Sequence, residues 1–207
     1  MRRPKLADFY SCAGGGAVGY DRAGFEVTGI DIRPVPHYPF EFIQGDALEL
    51  LADAEFLSQF DAIHASPTCQ TFARVTAWRG SRDNHPDLLT PTLALLEGVT
   101  VPWVVENVPE AGLRPDFRLC GTQFGLPVRR HRDFQCGNWS SYELMPGCQC
   151  NRNPSLLPFE HKAERAFADA MGCTWMSSKE ARQAIPPAYT EFIGSRLLEY
   201  LTAEAVA

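Results

Sequence analysis

The N-terminal segment, residues 6–23, constrains the fold more than any other part of the chain. An apolar strand candidate at residues 6–10 runs through residues 11–16, which end in three consecutive glycines, into a helical stretch at 17–23. Such a start is typical of nucleotide-binding α/β domains, because glycines let backbone N–H groups approach a ligand at the helix N-terminus. Consecutive glycines also occur in ordinary flexible turns, so this segment alone leaves both interpretations open.

Acidic residues end the next two strand candidates. Asp31 closes the run 27–31, where a carboxylate can accept hydrogen bonds from ribose hydroxyls. Asp46 follows the run 42–44 and is suited to contact an adenine amino group. Together with the glycine turn, these positions predict a site for a nucleotide-like cofactor.

A cysteine and a glutamate follow two further strand candidates. The apolar run 60–65 stops at a proline, so Cys69 falls in the loop just past a strand's carboxyl end. The apolar run 103–105 brings Glu106 to a similar position before a second proline. Open α/β sheets bind their ligands at these strand ends, so the two side chains could act on one substrate. A free cysteine is more often a small buried apolar residue than a nucleophile, and that alternative stays open for Cys69.

This pair of groups suits attack on a pyrimidine ring. Cytosine C5 is too weak a nucleophile to take a methyl group until a thiolate adds at C6, and an acid at N3 makes that addition easier. Cys69 would be the nucleophile and Glu106 would be the acid.

The order of these residues resembles the motif series of the cytosine-C5 DNA methyltransferases, and the resemblance covers most of the chain. Residues 8–15 are similar to the family's first motif, 66–70 to its nucleophile loop and 106–108 to its Glu-Asn-Val motif. Residues 124–132 resemble its Gln-x-Arg-x-Arg motif, and 183–188 resemble the closing motif before its last helix.

The resemblance implies an α/β fold, the Rossmann-like S-adenosylmethionine-dependent methyltransferase fold, with a mostly parallel central sheet and helices on both faces. It implies a single catalytic domain over residues 1–207. The implied cofactor, S-adenosylmethionine, would contact Tyr10, Cys12, Ala13, Gly14, Gly15, Asp31, Ile32, Asp46, Ala47 and Pro67.

The resemblance also implies catalytic roles. Cys69 would add to C6, and Glu106 would protonate or hydrogen-bond N3, while Asn107 would hold the nucleophile loop through hydrogen bonds. Arg130 and Arg132 would hold the base oxygen and the adjacent phosphate and would favour the thiolate. A clustered basic edge is also common as solvated surface. A base in a duplex must be flipped out to reach such a thiol.

The loop after the cysteine mixes arginines with a tryptophan, which suits contact with a nucleic-acid backbone and stacking on a base. An ordinary polar surface loop could have the same composition. Under the resemblance, substrate contacts would come from Ser66, Gln70, Arg74, Trp78 and Arg79.

Several positions depart from the family pattern. They are Tyr10 for a phenylalanine, Cys12 for the first glycine of the cofactor loop, Thr68 for a proline, Val128 for a glutamine, and Arg182-Gln183 for Gly-Asn. None removes the thiol, the glutamate or the paired arginines. The geometry of the cofactor loop could differ around Cys12.

The segment 133–163 stands where the family has a large target-recognition domain. It is too short for a core of its own, since domains below about 40 residues usually need a disulfide, a metal or a partner. We therefore expect little sequence-specific reading of DNA. Its thiols and a histidine could bind one zinc ion or be unpaired structural residues: Cys136, Cys148, Cys150 and His161.

Apolar periodicity predicts three further helices. They cover residues 86–96, residues 165–171, and a last helix that begins at Pro186 and Pro187. The stripe of the last helix is predicted to be core and comprises Tyr189, Phe192, Ile193, Leu197, Tyr200 and Leu201.

The net charge of −6 opposes general attraction to phosphate groups, although a local basic cleft could exist. Seven cysteines in a chain without an export signal indicate thiols rather than a disulfide framework. No run is apolar and long enough to span a membrane. We therefore expect a cytoplasmic enzyme of a bacterium or of a phage-infected cell, with no membrane partner.

Three hypotheses follow for the function. The first is methyl transfer from S-adenosylmethionine to C5 of cytosine in DNA, duplex or single-stranded, through a covalent adduct between Cys69 and C6. The second keeps this chemistry but acts on a free cytosine nucleotide, whose phosphate the arginines would hold. The third is a catalytically weak methyltransferase-like subunit that needs a protein partner for target recognition.

Overall fold

The computed structural model describes residues 2–68, 86–140, 147–152, 156–157 and 163–204. One sheet contains β1 (Lys5–Phe9), β2 (Glu26–Asp31), β3 (Glu41–Gln44), β4 (Ala62–Ala65), β5 (Trp103–Asn107), β6 (Phe117–Leu119) and β7 (Arg132–Gly137). The described helices are α1 (Gly15–Ala23), α2 (Ala47–Ala52), α3 (Ala54–Leu57), α4 (Leu89–Leu96), α5 (Glu164–Ala170), α6 (Ser178–Ala181) and α7 (Pro187–Glu204). Short 3₁₀ turns lie at Pro109–Ala111, Gly121–Phe124 and Cys150–Arg152. Within this part of the chain, no helix combines the length and apolar character needed to cross a bilayer.

The strands lie in the order β3-β2-β1-β4-β5-β7-β6. The first five pair in parallel, and β7 pairs antiparallel with both β5 and β6. The chain builds β2 and β3 on one side of β1 and then β4 and β5 on the other, so the strand order reverses between β1 and β4. Ligands of open α/β sheets bind outside the carboxyl ends of strands at such a point. The predicted mostly parallel sheet is confirmed.

Helices cover both faces of the sheet. On the first face, α1 and α7 pack against Leu6 and Val104. On the second face, α2, α3 and α4 pack against Phe9 and Ile63. Alternate residues of one strand supply both cores, because successive side chains of a strand point to opposite sides. The predicted placement of helices on both faces is confirmed.

The predicted helices form with small changes at their ends. The last helix is α7. Half of its predicted stripe is fully buried core, with Tyr189, Ile193 and Leu197 at most 1% exposed, and the rest of the stripe is partly buried against that core. Helix α5 begins one residue before its predicted start. Helix α4 begins at Leu89 rather than at residue 86, and Asp87 Oδ1 accepts a hydrogen bond from the Leu89 N–H at its start.

The predicted insert, residues 133–163, begins within a strand of the sheet. Residues Arg132–Gly137 form β7, which pairs with β5 along its whole length. Phe134 on β7 is fully buried in the first-face core, and Trp139 just beyond the strand is also buried. The segment that leaves the sheet therefore starts only after β7, which covers the edge of β5.

Candidate active site

A cavity of about 440 Å³ opens at the carboxyl ends of β1 and β4, where the strand order reverses. Its walls come from the turn between β1 and α1, the ends of β2 and β5, the start of α2 and the segment before α7. Small-molecule and cofactor sites have volumes of roughly 300–1,000 Å³. Predicted site residues that line this cavity are Tyr10, Cys12, Gly15, Asp31, Ile32, Asp46, Ala47, Ser66, Pro67, Glu106 and Arg132.

The turn between β1 and α1 has a backbone conformation that glycine favours. Tyr10, Cys12 and Gly14 have φ angles of 58°, 45° and 79°, which lie in the left-handed region. This conformation costs a residue with a Cβ roughly 1–2 kcal/mol. Hydrogen bonds hold the turn, since the Ser11 N–H donates to the Ile30 carbonyl at 3.1 Å. A glycine at position 12 would adopt this angle without that cost.

Side chains of this turn fit a nucleoside-type cofactor. The Ser11 hydroxyl lines the cavity, is buried, and has no hydrogen-bond partner among the described residues. Asp31 Oδ2 accepts a hydrogen bond from the Cys12 N–H at 3.2 Å, and Oδ1 accepts one from the Arg33 N–H at 3.1 Å. Ile32 is 61% exposed and lines the cavity, so a ring can pack on it. A bound polar group would recover the free energy lost at the unpaired Ser11 hydroxyl.

Asp46 and Ala47 reach the cavity from the start of α2. Asp46 caps this helix, because its Oδ1 accepts a hydrogen bond from the Leu48 N–H at 2.8 Å. The cap fixes the carboxylate at the cavity wall. An amino group of a ligand can approach it there.

Two of the predicted cofactor residues, Ala13 and Gly14, lie behind the cavity lining. The Ala13 carbonyl accepts a hydrogen bond from Trp175 Nε1 at 2.8 Å. A Cβ on Gly14 would lie 3.1 Å from the Tyr38 ring and would also meet a neighbouring proline. Both residues therefore shape the turn rather than the surface that a ligand meets.

Sequence reasoning did not identify two buried polar residues, Asp8 and His64, as site residues, although both line the cavity. Tyr38 Oη donates to Asp8 Oδ2 at 3.4 Å, and Tyr20 Oη lies 3.0 Å from His64 Nδ1. Burial raises the pKa of Asp8 to about 8 and lowers the pKa of His64 to about 3. A polar residue inside an otherwise apolar strand was the sequence signal that could have found them.

Glu106 and Arg132 form a buried ion pair at the cavity. Both side chains project to the first face, one from β5 and one from the start of the neighbouring β7. Arg132 Nε lies 2.6 Å from Glu106 Oε1, and the side chains are 13% and 9% exposed. Burial raises the pKa of Glu106, and the charges of Arg132 and Arg130 partly oppose that shift. A carboxyl with a raised pKa can hold a proton and donate it.

Asn107 connects the end of β5 to the loop after β4. Its Nδ2 donates a hydrogen bond to the Pro67 carbonyl at 3.0 Å, and the side chain is buried. In the same loop, the Ser66 hydroxyl donates to the Tyr10 carbonyl at 3.2 Å. These bonds fix the chain just before it continues to Cys69.

Arg130 lies behind the cavity rather than in its lining. Its Nη2 donates to the Arg182 carbonyl at 2.9 Å, and its guanidinium carbon lies 5.9 Å from the centre of the Phe167 ring. Tyr189 Oη donates to the carbonyl of Arg130 at 2.6 Å. The two predicted arginines thus have different surroundings, with Arg132 at the cavity and Arg130 against the segment before α7.

Several predicted residues lie outside the part of the chain that the structure describes. Their roles stay predictions. They are the nucleophile and substrate residues Cys69, Gln70, Arg74, Trp78 and Arg79, and the zinc-ligand candidate His161.

Cys136 is separate from the other two predicted zinc-ligand cysteines. It lies on β7 and packs against the first-face core, and it is not part of the described cluster that contains those two cysteines. Cys148 and Cys150 do come together, with 3.5 Å between their sulfur atoms, but they meet Cys120 and His131. The sequence did not predict Cys120 and His131 as ligands, because they come before the predicted insert in the chain.

Solved structures of methyltransferases share this architecture. The S. pombe Dnmt2 methyltransferase matches with a TM-score of 0.61 at 15% sequence identity, covering 96% of this chain and 99% of that chain. The chain has a methyltransferase fold. The Entamoeba histolytica methyltransferase EhMeth gives a TM-score of 0.60 at 12% identity, covering 99% of each chain. At these identities the likeness establishes the fold alone.

The chain spans about half the length of two further methyltransferases with solved structures. It covers 45% of a candidate DNA modification methyltransferase from an E. coli prophage (TM-score 0.48, 22% identity, 63% of this chain). It covers 49% of a Spodoptera frugiperda DNMT2 variant (TM-score 0.47, 22% identity, 64% of this chain). No protein-family model matches the sequence, and neither does any curated protein. The activity of this methyltransferase fold must therefore be argued from the side chains of its cavity.

Proposed function

We propose that this protein transfers a methyl group from S-adenosylmethionine to C5 of cytosine in DNA, through a covalent adduct between Cys69 and C6. The observation that carries the proposal is the buried pair of Glu106 and Arg132, an acid with a raised pKa in the same cavity as the cofactor-type turn. The hydrogen bond between Asn107 and Pro67 joins this acid to the loop that leads to Cys69.

The turn between β1 and α1 would hold the cofactor. Asp31 would accept hydrogen bonds from ribose hydroxyls, Ile32 would pack on the adenine ring, and Asp46 would accept from its amino group. The buried Ser11 hydroxyl would find its partner in a polar group of the cofactor. S-adenosylmethionine supplies an electrophilic methyl group when it is bound.

Side chains of the protein would prepare the base for that group. The Cys69 thiolate would form a bond to C6 while Glu106, in its protonated form, donates its proton to N3, which moves electron density to C5. Arg132 would stabilise charge on the base oxygen. Once C5 carries the new methyl group, the C5 proton would pass to water, the C5–C6 double bond would form and the Cys69 thiolate would leave from C6. N3 would return its proton to Glu106.

A free cytosine nucleotide is the second candidate substrate. The net charge of −6 favours it, because a long polyanion is repelled more strongly than a single phosphate. The chemistry at Cys69 and Glu106 would be unchanged.

Mass spectrometry of 5-methylcytosine tests both candidates. The protein is incubated with S-adenosylmethionine and, separately, duplex DNA, single-stranded DNA or deoxycytidylate. We expect methylated DNA from the wild type, none from Cys69→Ala, and a loss of at least about 100-fold in Glu106→Gln because the acid is removed. Cys136→Ala is the control, since this thiol lies on β7 outside the cavity lining.

Other outcomes separate the hypotheses. Product from deoxycytidylate alone would establish the second candidate, and product that does not depend on Cys69 would overturn the covalent mechanism. If no substrate gives product, calorimetry with S-adenosylmethionine shows whether the protein binds the cofactor. Cofactor binding without product would favour a subunit that needs a partner, and no cofactor binding would overturn the proposal.

DNA that carries 5-fluorocytosine tests the adduct itself. Fluorine at C5 does not leave as a cation, so elimination fails and the bond between sulfur and C6 persists. We expect a covalent complex, seen by its intact mass, for the wild type and not for Cys69→Ala.

A further inference from the structure

Three cysteines and a histidine from separate segments meet outside the cavity lining. Cys120 precedes the 3₁₀ turn after β6, His131 lies just before β7, and Cys148 and Cys150 lie at the third 3₁₀ turn. His131 Nε2 lies 3.4 Å from Cys148 Sγ and 3.5 Å from Cys150 Sγ. The four candidate ligand atoms all lie within 4.8 Å of one another.

These distances match a tetrahedral zinc site. With Zn–S bonds near 2.3 Å and Zn–N bonds near 2.0 Å, neighbouring ligand atoms lie roughly 3.5–3.8 Å apart. Three thiolates and one imidazole are a ligand set of structural zinc sites, and they leave no position for water. We propose that Cys120, His131, Cys148 and Cys150 bind one zinc ion as a closed structural site.

The ion would fix the segment after β7 to the sheet. That segment is too short for a core of its own, and metal–thiolate bonds can replace a core in small modules. Hydrogen bonds already direct it to the same place. They join Arg129 Nη2 to the Cys150 carbonyl (3.0 Å), the Gln149 N–H to Thr122 Oγ1 (3.1 Å) and the Leu157 N–H to the Pro127 carbonyl (2.8 Å).

His131 places the proposed zinc site directly behind the candidate active site. Successive side chains of an extended segment point to opposite sides, so His131 and its neighbour Arg132 diverge. Arg132 reaches Glu106, while His131 reaches the cysteines. A zinc-bound His131 would fix the backbone from which Arg132 extends.

Zinc content tests the proposal without any need for methyl transfer. Protein purified without a metal-binding tag should carry one zinc ion per chain by plasma mass spectrometry. Cys120→Ser and Cys148→Ser should each lose the zinc, and Cys136→Ser should keep it. Cys136 is the matched control, because it is a nearby thiol that the structure places outside the cluster. Zinc that depends on Cys136 and not on Cys120 would overturn the ligand set.

Two measurements on the wild-type protein test the zinc site even if the cysteine variants fail to fold. An organomercurial added in the presence of a chromophoric chelator should release one zinc ion as the thiols react. Cobalt(II) exchanged into the site should give the intense absorption of tetrahedral thiolate coordination. Folded protein that holds no zinc, takes up no cobalt, or joins Cys148 to Cys150 in a disulfide would overturn the proposal.

Discussion

Asp8 and His64 show how burial sets the charge of a side chain in this cavity. The two residues are paired neighbours on β1 and β4, and they are 2% and 1% exposed. Burial removes the water that would stabilise a charge, so the pKa of Asp8 rises to about 8 and that of His64 falls to about 3. At neutral pH the cavity therefore presents a mostly protonated carboxyl beside a neutral imidazole.

Asp8→Asn should remove a pH dependence of the free energy of unfolding. The pKa of Asp8 lies above its ordinary value of 3.8, so the folded chain keeps a proton that the unfolded chain loses between about pH 4 and 8. The contribution of Asp8 to the free energy of unfolding is fully present at low pH. It decreases by about 1.4 kcal/mol per pH unit as the pH rises towards 8. Urea unfolding from pH 5 to 9 should show this slope in the difference between the wild type and the variant. Both proteins share the opposite contribution of His64, whose lowered pKa makes stability rise with pH up to about 6.5.

Asp61→Asn is the control for this comparison. The Arg2 guanidinium and the Lys5 backbone N–H lower the pKa of Asp61, so its stability is lost only as the pH falls. The variant should keep the wild-type slope between pH 5 and 8. Equal slopes for the wild type and Asp8→Asn in that range would show that Asp8 ionises normally.

At the residue scale, the sequence predicted strand-end positions better than side-chain environments. Glu106 could be placed beside a ligand site because an apolar run and a proline mark the end of its strand. The charge states of Asp8 and His64 could not be predicted, since they depend on burial by the whole fold. The hydrogen bond from Arg130 to the Arg182 carbonyl spans 52 residues of sequence and leaves no local pattern.

Helices α1 and α7 approach closely because Gly19 on α1 has no side chain at the point where the two helices meet. A Cβ on Gly19 would lie 2.1 Å from the Pro187 carbonyl oxygen and 2.0 Å from Thr190 Oγ1. The Thr190 hydroxyl also donates to the Gly16 carbonyl at 2.7 Å. This contact fixes the start of α7 against the turn that forms the cavity.

Gly19→Ala should lower the free energy of unfolding by about 2–3 kcal/mol, because the added methyl group meets backbone atoms that cannot rotate away. Gly98→Ala is the matched control. A Cβ at Gly98 would meet its nearest atom, the Leu95 carbonyl oxygen, at an ordinary 3.5 Å, and we expect a change within about 0.5 kcal/mol. Urea unfolding at one pH measures both, and an equal effect of the two substitutions would contradict the close contact.

At the element scale, local patterns predicted the parallel strands and the last helix but not β7. The parallel strands are short apolar runs with polar ends, and α7 has a regular apolar stripe. Strand β7 alternates the buried Phe134 with polar residues, including the buried Asp133 that pairs with Arg118 on β6. Its identity as a strand comes from pairing with β5, which is distant in sequence, so no local pattern separates it from the insert predicted to follow.

The whole molecule is acidic, with 25 acidic and 19 basic side chains. The two arginines predicted to act in catalysis already have partners, since Arg132 contacts Glu106 and Arg130 contacts the Arg182 carbonyl. Attraction to a nucleic acid must therefore come from a small number of local cations. The arginines predicted to contact substrate would supply part of that attraction.

The salt dependence of binding should report how many phosphates the protein contacts. If Arg74 and Arg79 each contact one phosphate of duplex DNA, the logarithm of the binding constant should fall with the logarithm of salt with a slope of about −1.8. Arg74→Ala combined with Arg79→Ala should make the slope nearly flat, because both phosphate contacts are lost. Fluorescence anisotropy of a labelled duplex measures the slope, and Arg196→Ala on α7 should leave it unchanged. A nearly flat slope for the wild type, with deoxycytidylate competing for the site, would contradict a DNA substrate and favour the free nucleotide.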